Sequence, residues 1–249
     1  MIQRVFQRTE IKYLITPEVY QQLIWLIEPY LTKDRYFKNT NISLYLDDDN
    51  NLLAMRSLEK PLYKEKVRLR SYGVPTVDDV VFLEIKKKYD GVGGKRRVPV
   101  KLKDFYQWLE SGFTEPISAE NPQISEELKY LFLSYDLKPK LFLAYDRTSY
   151  IARDDVHFRV TFDRDIRSRT SDLNIEHGDF GEKYFKNGEI VMEVKAEDAY
   201  PLWFVRALSK LKIYPTSFSK YGRVMLRLDG NEQKMGRVCV VQGSMVEKA

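Results

Sequence analysis

The sequence of 249 residues has few of the side chains that most often carry covalent catalysis and metal binding. It contains one cysteine, Cys239, and two histidines, His157 and His177. A single cysteine excludes an internal disulfide framework and a zinc cluster built from cysteines. Two histidines argue against a histidine-rich metal site or a catalytic triad. Any metal would therefore be held by carboxylates, which suits Mg²⁺ or Mn²⁺.

Long apolar segments are also missing. No apolar run approaches the ~20 residues of a membrane-spanning helix, and residues 1–6 lack the hydrophobic core of a signal peptide. We therefore expect a soluble, cytoplasmic chain without a membrane span. Three glycines in residues 91–94 follow a predicted strand, but residues 95–100 read as another strand. A phosphate-binding glycine loop needs a helix N-terminus there, which excludes a nucleotide loop of that kind.

The composition fits one globular domain with a modest basic excess. Hydrophobic residues make up 43% of the chain, and 41 Lys and Arg against 36 Asp and Glu give a net charge of +5. This excess permits an anionic partner without requiring one. Alternating strand patterns are interspersed with amphipathic helical ones, which predicts an α+β fold. We expect a single domain over residues 1–249, with its core at about 4–228 and a flexible tail at 229–249.

One predicted hairpin shows the pattern that matters most. Residues 66–70 read Lys-Val-Arg-Leu-Arg, and residues 84–88 read Glu-Ile-Lys-Lys-Lys. Alternate residues of a strand face the same side, so each strand has one charged face and one apolar face. Taken alone, such a hairpin is typical of an antiparallel sheet with one face in water.

The same pattern recurs in at least five strands, at Glu10/Lys12, Arg68/Arg70, Glu84/Lys86, Arg159/Asp163 and Glu193/Lys195. If the sheet curls and closes, these charged faces point inward. Isolated buried charges are too costly for a packed core, so the interior must hold water and a charged ligand. The prediction is a closed antiparallel β-tunnel of about eight strands with flanking helices. The basic residues of the lining outnumber its acids and are Lys12, Lys66, Arg68, Arg70, Lys86, Lys88, Arg147, Arg159, Lys195 and Lys220.

A family resemblance rests on six short motifs in register. They are Glu10-Ile11-Lys12, Lys66-Val67-Arg68-Leu69-Arg70, Glu84-Ile85-Lys86, Tyr145-Asp146-Arg147, Glu193-Val194-Lys195 and Ser217-Phe218-Ser219-Lys220-Tyr221. In this order they resemble the VTC domain, a polyphosphate polymerase domain of the triphosphate tunnel metalloenzyme or CYTH-like superfamily. The resemblance covers about residues 4–228. It implies an antiparallel β-tunnel that transfers the terminal phosphate of ATP to a growing polyphosphate chain with Mn²⁺ or Mg²⁺.

The resemblance also implies roles for individual residues. The catalytic, phosphate-binding set would be Lys12, Arg68, Arg70, Lys86, Arg147 and Lys220. Further substrate contacts would come from Lys66, Lys88, Arg159, Lys195, Glu10 and Tyr145. Glu193 would bind the metal, while Glu84 would orient Lys86. Phosphoryl transfer depends on charge stabilisation and in-line positioning, so a protein nucleophile is not required.

The chain departs from the family pattern in two respects. The eukaryotic polymerase carries an SPX sensor domain and membrane spans, neither of which is seen here. A protein partner for product export is an open alternative that the sequence does not identify. Hydrolytic tunnel enzymes show Glu-x-Glu-x-Lys in the first strand, whereas here Arg8 takes the place of the first glutamate. This favours the polymerase over a tri- or polyphosphatase. A non-catalytic polyphosphate- or nucleotide-binding module is the third alternative.

Three further expectations concern the rest of the chain. Residues 95–97 (Lys-Arg-Arg) are predicted to be an exposed edge and not a nucleic-acid site, because no aromatic side chains interleave them. Residues 165–188 are polar and rich in turns, which favours a flexible excursion. Trp25, Trp108 and Trp203 sit at helical core spacing and are expected to be buried.

Overall fold

A computed structural model describes residues 9–59, 61–90, 92–197 and 199–230. The nine strands are β1 (Thr9–Ile15), β2 (Leu31–Asp47), β3 (Tyr63–Tyr72), β4 (Val80–Tyr89), β5 (Val92–Lys101), β6 (Lys138–Ala152), β7 (Arg159–Arg169), β8 (Glu182–Lys183) and β9 (Ile190–Ala196). The six α-helices are α1 (Pro17–Ile27), α2 (Leu52–Glu59), α3 (Leu102–Glu110), α4 (Pro122–Tyr135), α5 (Leu202–Lys210) and α6 (Lys220–Leu228). Arg8 and residues 231–249, most of the predicted tail, lie outside the described residues.

All strands belong to one antiparallel sheet. Eight strands follow the order β1-β9-β7-β6-β2-β3-β4-β5, and the short β8 pairs with β7. The α+β architecture predicted from the sequence is thus confirmed. The prediction of a closed tunnel needs correction, because no hydrogen bond joins the edge strands β1 and β5 within the described ranges. One reason is that the outer edge of β1 is already used, since the Thr216 N–H donates to the Lys12 carbonyl at 2.7 Å.

The outer, convex face of the sheet is apolar and is covered by two pairs of helices. One buried cluster packs α3 and α4 against β2 to β5, with Phe105 and Phe132 at its centre. A second packs α1 and α5 against β1, β7 and β9, with Leu23 and Phe204 among its members. The hydrophobic effect therefore directs the apolar side of each strand toward the helices and leaves the charged side on the concave face.

Helix α6 lies against the concave face itself. Its residues Tyr221, Val224 and Met225 are buried with apolar positions of the inner strands, including Leu143 and Val191. The Tyr221 ring also stacks on Tyr45 with ring centroids 4.2 Å apart. Part of the concavity is thus filled by a third apolar cluster, and the charged side chains line only the remainder.

A glycine allows α6 to approach α2 closely. A Cβ atom added at Gly222 would lie 2.5 Å from Leu58 Cδ2, which is shorter than any real contact of this kind. Ser219 caps the helix by accepting a hydrogen bond from the Gly222 N–H at 3.2 Å. These two contacts fix the start of α6, where Lys220 enters the concave face.

Two expectations about packing are wrong. Trp25 is 76% exposed on α1, whose buried positions are Val19, Leu23 and Ile27. Residues 165–188, predicted as a flexible excursion, are in part regular structure, because β7 continues to Arg169 and β8 pairs back on it. The Arg169 guanidinium, itself buried, donates to four carbonyl groups of the following loop, those of Asp172, Asn174, Gly178 and Phe180. No helix of the described ranges is both long and apolar enough to cross a membrane.

Candidate functional site

The strand register brings the predicted site residues onto the concave face. Residues directly opposite in an antiparallel pair share a face. Lys12 lies opposite Glu193, and Arg68 lies opposite Glu84. Each predicted strand position lies on the same face by this rule. Lys220, at the start of helix α6, reaches that face through its contacts with Asp163 and Glu193. The residues so placed are Glu10, Lys12, Lys66, Arg68, Arg70, Lys86, Lys88, Tyr145, Arg147, Arg159, Glu193 and Lys195.

A compact ion cluster lies where α6 meets β6, β7 and β9. The Arg147 Nε and Nη2 donate to the two Asp163 oxygens at 2.6 and 2.7 Å, and Nη2 also donates to Glu193 Oε2 at 2.9 Å. Lys220 Nζ lies 2.5 Å from Asp163 Oδ2 and 2.8 Å from Glu193 Oε1. Lys12 Nζ approaches the same Glu193 oxygen at 3.4 Å. Two carboxylates therefore hold three cations in fixed positions.

The neighbouring charges of this ion cluster shift the pKa values of Glu193 and Lys220 more than burial does. Burial by itself would raise the pKa of Glu193, but Lys220, Lys12 and Arg147 hold the pKa of that carboxyl well below its usual range. Burial would likewise lower the pKa of Lys220, but the facing Asp163 and Glu193 raise it. Glu193 and Lys220 therefore stay ionised near neutral pH, so the donors of the cluster are preorganised for a charged ligand.

Glu193 can hold a metal ion only in a particular way. Its Oε1 faces Lys220 and Lys12, while its Oε2 accepts from Arg147. A carboxylate offers about four lone-pair sites, so one remains on Oε2. The described residues contain no group of three or more His, Cys, Asp or Glu side chains arranged around a common point. Glu193 Oε2 is therefore the atom of this carboxylate that could ligate a cation.

Arg68 is positioned by an acid that was expected to orient Lys86. The Arg68 Nε and Nη2 donate to Glu84 Oε2 at 3.0 and 2.8 Å, and the Nη1 donates to the Tyr45 hydroxyl at 3.3 Å. Glu84 is 1% exposed, and its other oxygen faces Lys95 Nζ at 3.4 Å. The expectation for Glu84 is thus wrong, since its carboxylate orients Arg68 and is shared with Lys95.

Two lysines of the concave face have no acid to neutralise them. Lys66 Nζ donates to Ser219 Oγ at 3.0 Å, and neither Lys66 nor Lys86 forms an ion pair within the described part of the chain. Desolvation, together with the nearby Lys12, Lys86 and Arg68, holds the pKa of Lys66 well below its usual range. Desolvation also lowers the pKa of Lys86, although Glu10 partly opposes it. Lys86 is accessible to water yet surrounded by protein, as expected inside a solvated concavity.

These lowered pKa values predict how binding of a polyanion depends on pH. Charged lysines attract phosphate, so affinity for inorganic triphosphate should fall as pH rises through the lowered pKa values of Lys66 and Lys86, below the ordinary lysine value of about 10.4. A bound anion restores those pKa values, and binding should then be accompanied by proton uptake. Calorimetry in buffers of different ionisation enthalpy measures this uptake. A Lys66→Gln/Lys86→Gln variant should lose it, and an uptake equal to wild type would contradict the assignment.

Arg70 lies deeper than its neighbour Arg68. It is 4% exposed and donates to Ser43 at 2.8 Å, to the Tyr145 hydroxyl at 2.9 Å, and to Asn41. Its Nε is buried without a partner. These acceptors are neutral, so they leave the positive charge of Arg70 uncompensated. The Arg147 and Lys220 groups lie 5.3 and 4.7 Å from the centre of the Tyr145 ring, which links Arg70 to the ion cluster.

The remaining predicted residues lie at the margin of the charged area. Arg159 Nη2 pairs with Asp34 Oδ2 at 2.5 Å, and Lys195 Nζ faces Glu10 Oε2 at 3.4 Å. Lys88 is exposed near the end of β4, opposite Lys64, and contacts none of the other predicted site residues in the described structure. Within the described residues, Lys88 and Arg159 therefore contact no member of the ion cluster, whereas Glu10 links Lys195 to it through Lys12 Nζ at 3.7 Å.

Sequence reasoning missed two cations on β5. Lys95 lies opposite Lys86, and Arg97 lies opposite Glu84, so both share the concave face. The Arg97 guanidinium lies 4.5 Å from the centre of the Phe82 ring. The segment is an exposed edge, as expected, but its alternation has the same parity as β3 and β4. That parity could have identified Lys95 and Arg97 as additions to the basic surface.

Sequence comparison connects this chain with one family. The family described as the VTC domain matches residues 7–228. A protein of Trypanosoma brucei brucei named vacuolar transporter chaperone complex subunit 4 is 26% identical over 215 residues, which cover 70% of this chain and 27% of the relative. Its namesake in Trypanosoma cruzi is 27% identical with the same coverage. The chain thus spans about a quarter of the length of these curated relatives.

Structural comparison supports the fold independently. The crystal structure of a Bacillus halodurans protein, described as a candidate adenylate cyclase, aligns with this chain at a TM-score of 0.53. The alignment covers 84% of this chain and 92% of that protein at 14% sequence identity. At this identity the likeness concerns the fold alone, and it agrees with a curled antiparallel sheet flanked by helices.

Proposed function

Because the chain belongs to the VTC domain family, we propose that it is a metal-dependent phosphotransferase that lengthens polyphosphate with the terminal phosphate of ATP. One observation carries the proposal. The concave face concentrates cations that its own acids do not neutralise, most clearly Lys66, Lys86 and Arg70. Adjacent ammonium and guanidinium groups around a solvated concavity are suited to a chain of phosphates.

The proposed reaction needs no nucleophile from the protein. An oxygen of the terminal phosphate of the growing chain attacks the γ-phosphorus of ATP. The new P–O bond lengthens the chain by one phosphate. The bond from the γ-phosphorus to the bridging oxygen breaks, and ADP leaves with that electron pair. Both histidines are exposed and pair with acids outside the concave face, His157 with Glu197 and His177 with Asp172.

The residues of the concave face would hold the two phosphate ends in line. Arg68 is fixed by Glu84, which leaves the outer part of its guanidinium beside Tyr45 for a phosphate oxygen. Lys66 and Lys86 form no ion pair within the described residues, although Glu10 lies close enough to act on Lys86, and both lysines would bind the neighbouring phosphates. Arg147 and Lys220 are held by Asp163 and Glu193, so they would present positive charge without reorganisation during transfer.

Glu193 is the residue that would ligate the metal through Oε2. A Mn²⁺ or Mg²⁺ ion held there would supply positive charge to the phosphate groups during transfer. The positions of Lys12 and Lys220 on the other Glu193 oxygen keep the carboxylate ionised and pointing into the concavity. The protein therefore contributes orientation of the ligand, and the substrate contributes most of the coordination.

The decisive experiment is to identify the product of the reaction. Purified protein with ATP and Mn²⁺ should form phosphate chains, which gel electrophoresis and ³¹P NMR resolve by length, and a chelator should stop their growth. Orthophosphate and ADP without chains would instead identify a tri- or polyphosphatase. Binding of polyphosphate without turnover under any metal would identify a binding module. Either result would contradict the polymerase.

A further inference from the structure

We propose that the convex face of the sheet carries a second anion-binding site, which accepts a phosphate group of a small molecule between Lys38 and Arg164. Strand β6 separates this site from the concave face. Arg147 points inward to the ion cluster, whereas its neighbours Asp146 and Thr148 have the opposite parity and face outward. The second site therefore lies on the other side of the same strand.

A cleft is present at this position. Its volume is about 440 Å³, within the range of small-molecule sites. The cleft is lined by Lys38, Thr40, Asp146, Thr148 and Arg164, together with Asn39 and Arg147 of the same two strands, whose parity is that of the concave face. Polar side chains line it, whereas the convex surface on either side is apolar and covered by the two pairs of helices. The polar residues of the cleft lie between these two helix-covered areas.

The strand register directs two cations toward one hydroxyl group. Lys38 on β2 lies directly opposite Thr148 on β6. Arg164 on β7 lies opposite Asp146, and its Nη1 donates to Thr148 Oγ1 at 3.4 Å. Opposed side chains in antiparallel strands have Cβ atoms about 5 Å apart. Lys38 therefore lies on one side of Thr148 and Arg164 on the other.

Neither cation has an acid of its own. Within the described ranges, Lys38 and Arg164 form no ion pair. Lys38 lies 5.7 Å from the centre of the Phe37 ring, and Arg164 lies 4.0 Å from the centre of the Tyr20 ring. The acid of the cleft, Asp146, is already engaged. Its Oδ1 accepts from the Thr40 hydroxyl at 2.7 Å, and its Oδ2 accepts from Arg167 at 3.2 Å.

An ammonium, a guanidinium and a hydroxyl group directed at one space are a donor set for phosphate oxygens. The guanidinium provides paired N–H donors, the ammonium a mobile point charge, and the hydroxyl a neutral hydrogen bond. A carboxylate ligand would pair with the guanidinium alone, whereas a phosphate group can accept hydrogen bonds from all three donors at once. The shared chemistry is a phosphate group, carried by inorganic phosphate or by a nucleotide.

Calorimetry on a variant whose concave face binds anions more weakly tests this assignment. The Lys66→Gln/Lys86→Gln background lowers binding on the concave face and leaves the cleft intact. Adding Lys38→Gln and Arg164→Gln should weaken binding of inorganic phosphate at least tenfold, because each substitution removes a charge-assisted hydrogen bond to the anion. Lys210→Gln, an exposed charge change on α5, should leave the affinity unchanged.

A parallel titration with AMP identifies the source of the phosphate. Tighter binding of AMP than of inorganic phosphate, lost with the same two substitutions, would assign the cleft to a nucleotide. Equal binding would assign it to the free ion. Phosphate affinity that survives both substitutions, or the absence of binding by either probe at millimolar concentration, would overturn the proposal. The Lys38→Gln/Arg164→Gln protein in the otherwise native chain should still bind triphosphate on the concave face, so the two functions fail independently.

Discussion

Replacing Lys86 with glutamine should lower the rate of chain elongation about 100-fold, the usual cost of losing one preorganised donor to developing charge. The same substitution should leave the folded protein at least as stable as wild type. The reason is that Lys86 forms no ion pair in the described structure, and desolvation and neighbouring cations lower its pKa. Its positive charge is therefore unfavourable in the fold and is retained for the ligand.

The pH dependence of stability has a definite sign. A lysine whose folded pKa is lowered binds its proton less well in the folded than in the unfolded state. Between the lowered and the ordinary pKa the unfolded state holds more protons, so stability should rise with pH through this window. Lys66, whose pKa is lowered well below its usual range, should contribute most. Lys66→Gln should flatten this rise.

The neighbouring Lys87 provides a matched control for the Lys86 substitution. Lys87 lies on the opposite face of β4 and pairs with Glu127 at 2.5 Å. Lys87→Gln removes the same charge from the same strand, and elongation should continue at nearly the wild-type rate. Measuring the thermal unfolding and the elongation rates of the two variants tests this prediction. Equal losses of activity in both would show that net charge, and not the concave face, determines the rate.

Replacing Glu193 with glutamine should destabilise the protein by about 3–5 kcal/mol, the cost of removing one partner from a buried ion pair. Among the described residues, Arg147 and Lys220 would then share Asp163 alone as their acid, and Lys12 would keep only Glu10, at 3.7 Å. Elongation should be lost as well, because the proposed metal ligand and the orientation of both cations depend on this carboxylate. Urea unfolding measures the first effect, and product length measures the second.

The stabilisation from Glu193 should also depend on pH. Its folded pKa lies well below the unfolded value, so the folded state holds its charge more firmly than the unfolded state does. This contribution is fully present above the unfolded pKa near 4.3 and is lost as pH falls through the folded pKa. The acid limb of the stability profile should therefore be shallower in Glu193→Gln than in wild type. Glu182→Gln on exposed β8 is the control and should reproduce the wild-type limb.

Elongation that survives in Glu193→Gln would separate the two roles. A destabilised variant that still elongates chains with an unchanged Mn²⁺ requirement would show that the carboxylate only balances charge. A variant that regains elongation at higher Mn²⁺ concentration would support ligation, because a neutral amide oxygen is a weaker ligand for a hard cation.

Much of the candidate site could be predicted from the sequence because strands have a period of two. Once residues 66–70 are assigned to a strand, the shared face of Lys66, Arg68 and Arg70 follows from backbone geometry. The same rule applied to residues 95–97 places Lys95 and Arg97 on that face too. Burial of Trp25 was predicted wrongly because helical spacing alone does not say which side of α1 meets the sheet.

The sequence by itself determined the alternation of charged and apolar residues, and with it the α+β class and the identity of the basic set. The tertiary structure alone decided how those charges are used. Arg68, Arg147 and Lys220 are neutralised by Glu84, Asp163 and Glu193, whereas Lys66 and Lys86 are not. It also decided that Thr216, and not β5, covers the edge of β1.

The physical reason is that Coulomb energies and hydrogen bonds depend on distances between strands, and most of these strands are far apart in the sequence. Local alternation fixes the face on which a side chain lies. It does not fix which partner lies across from that side chain, and the partner decides whether a cation is compensated or left for a ligand.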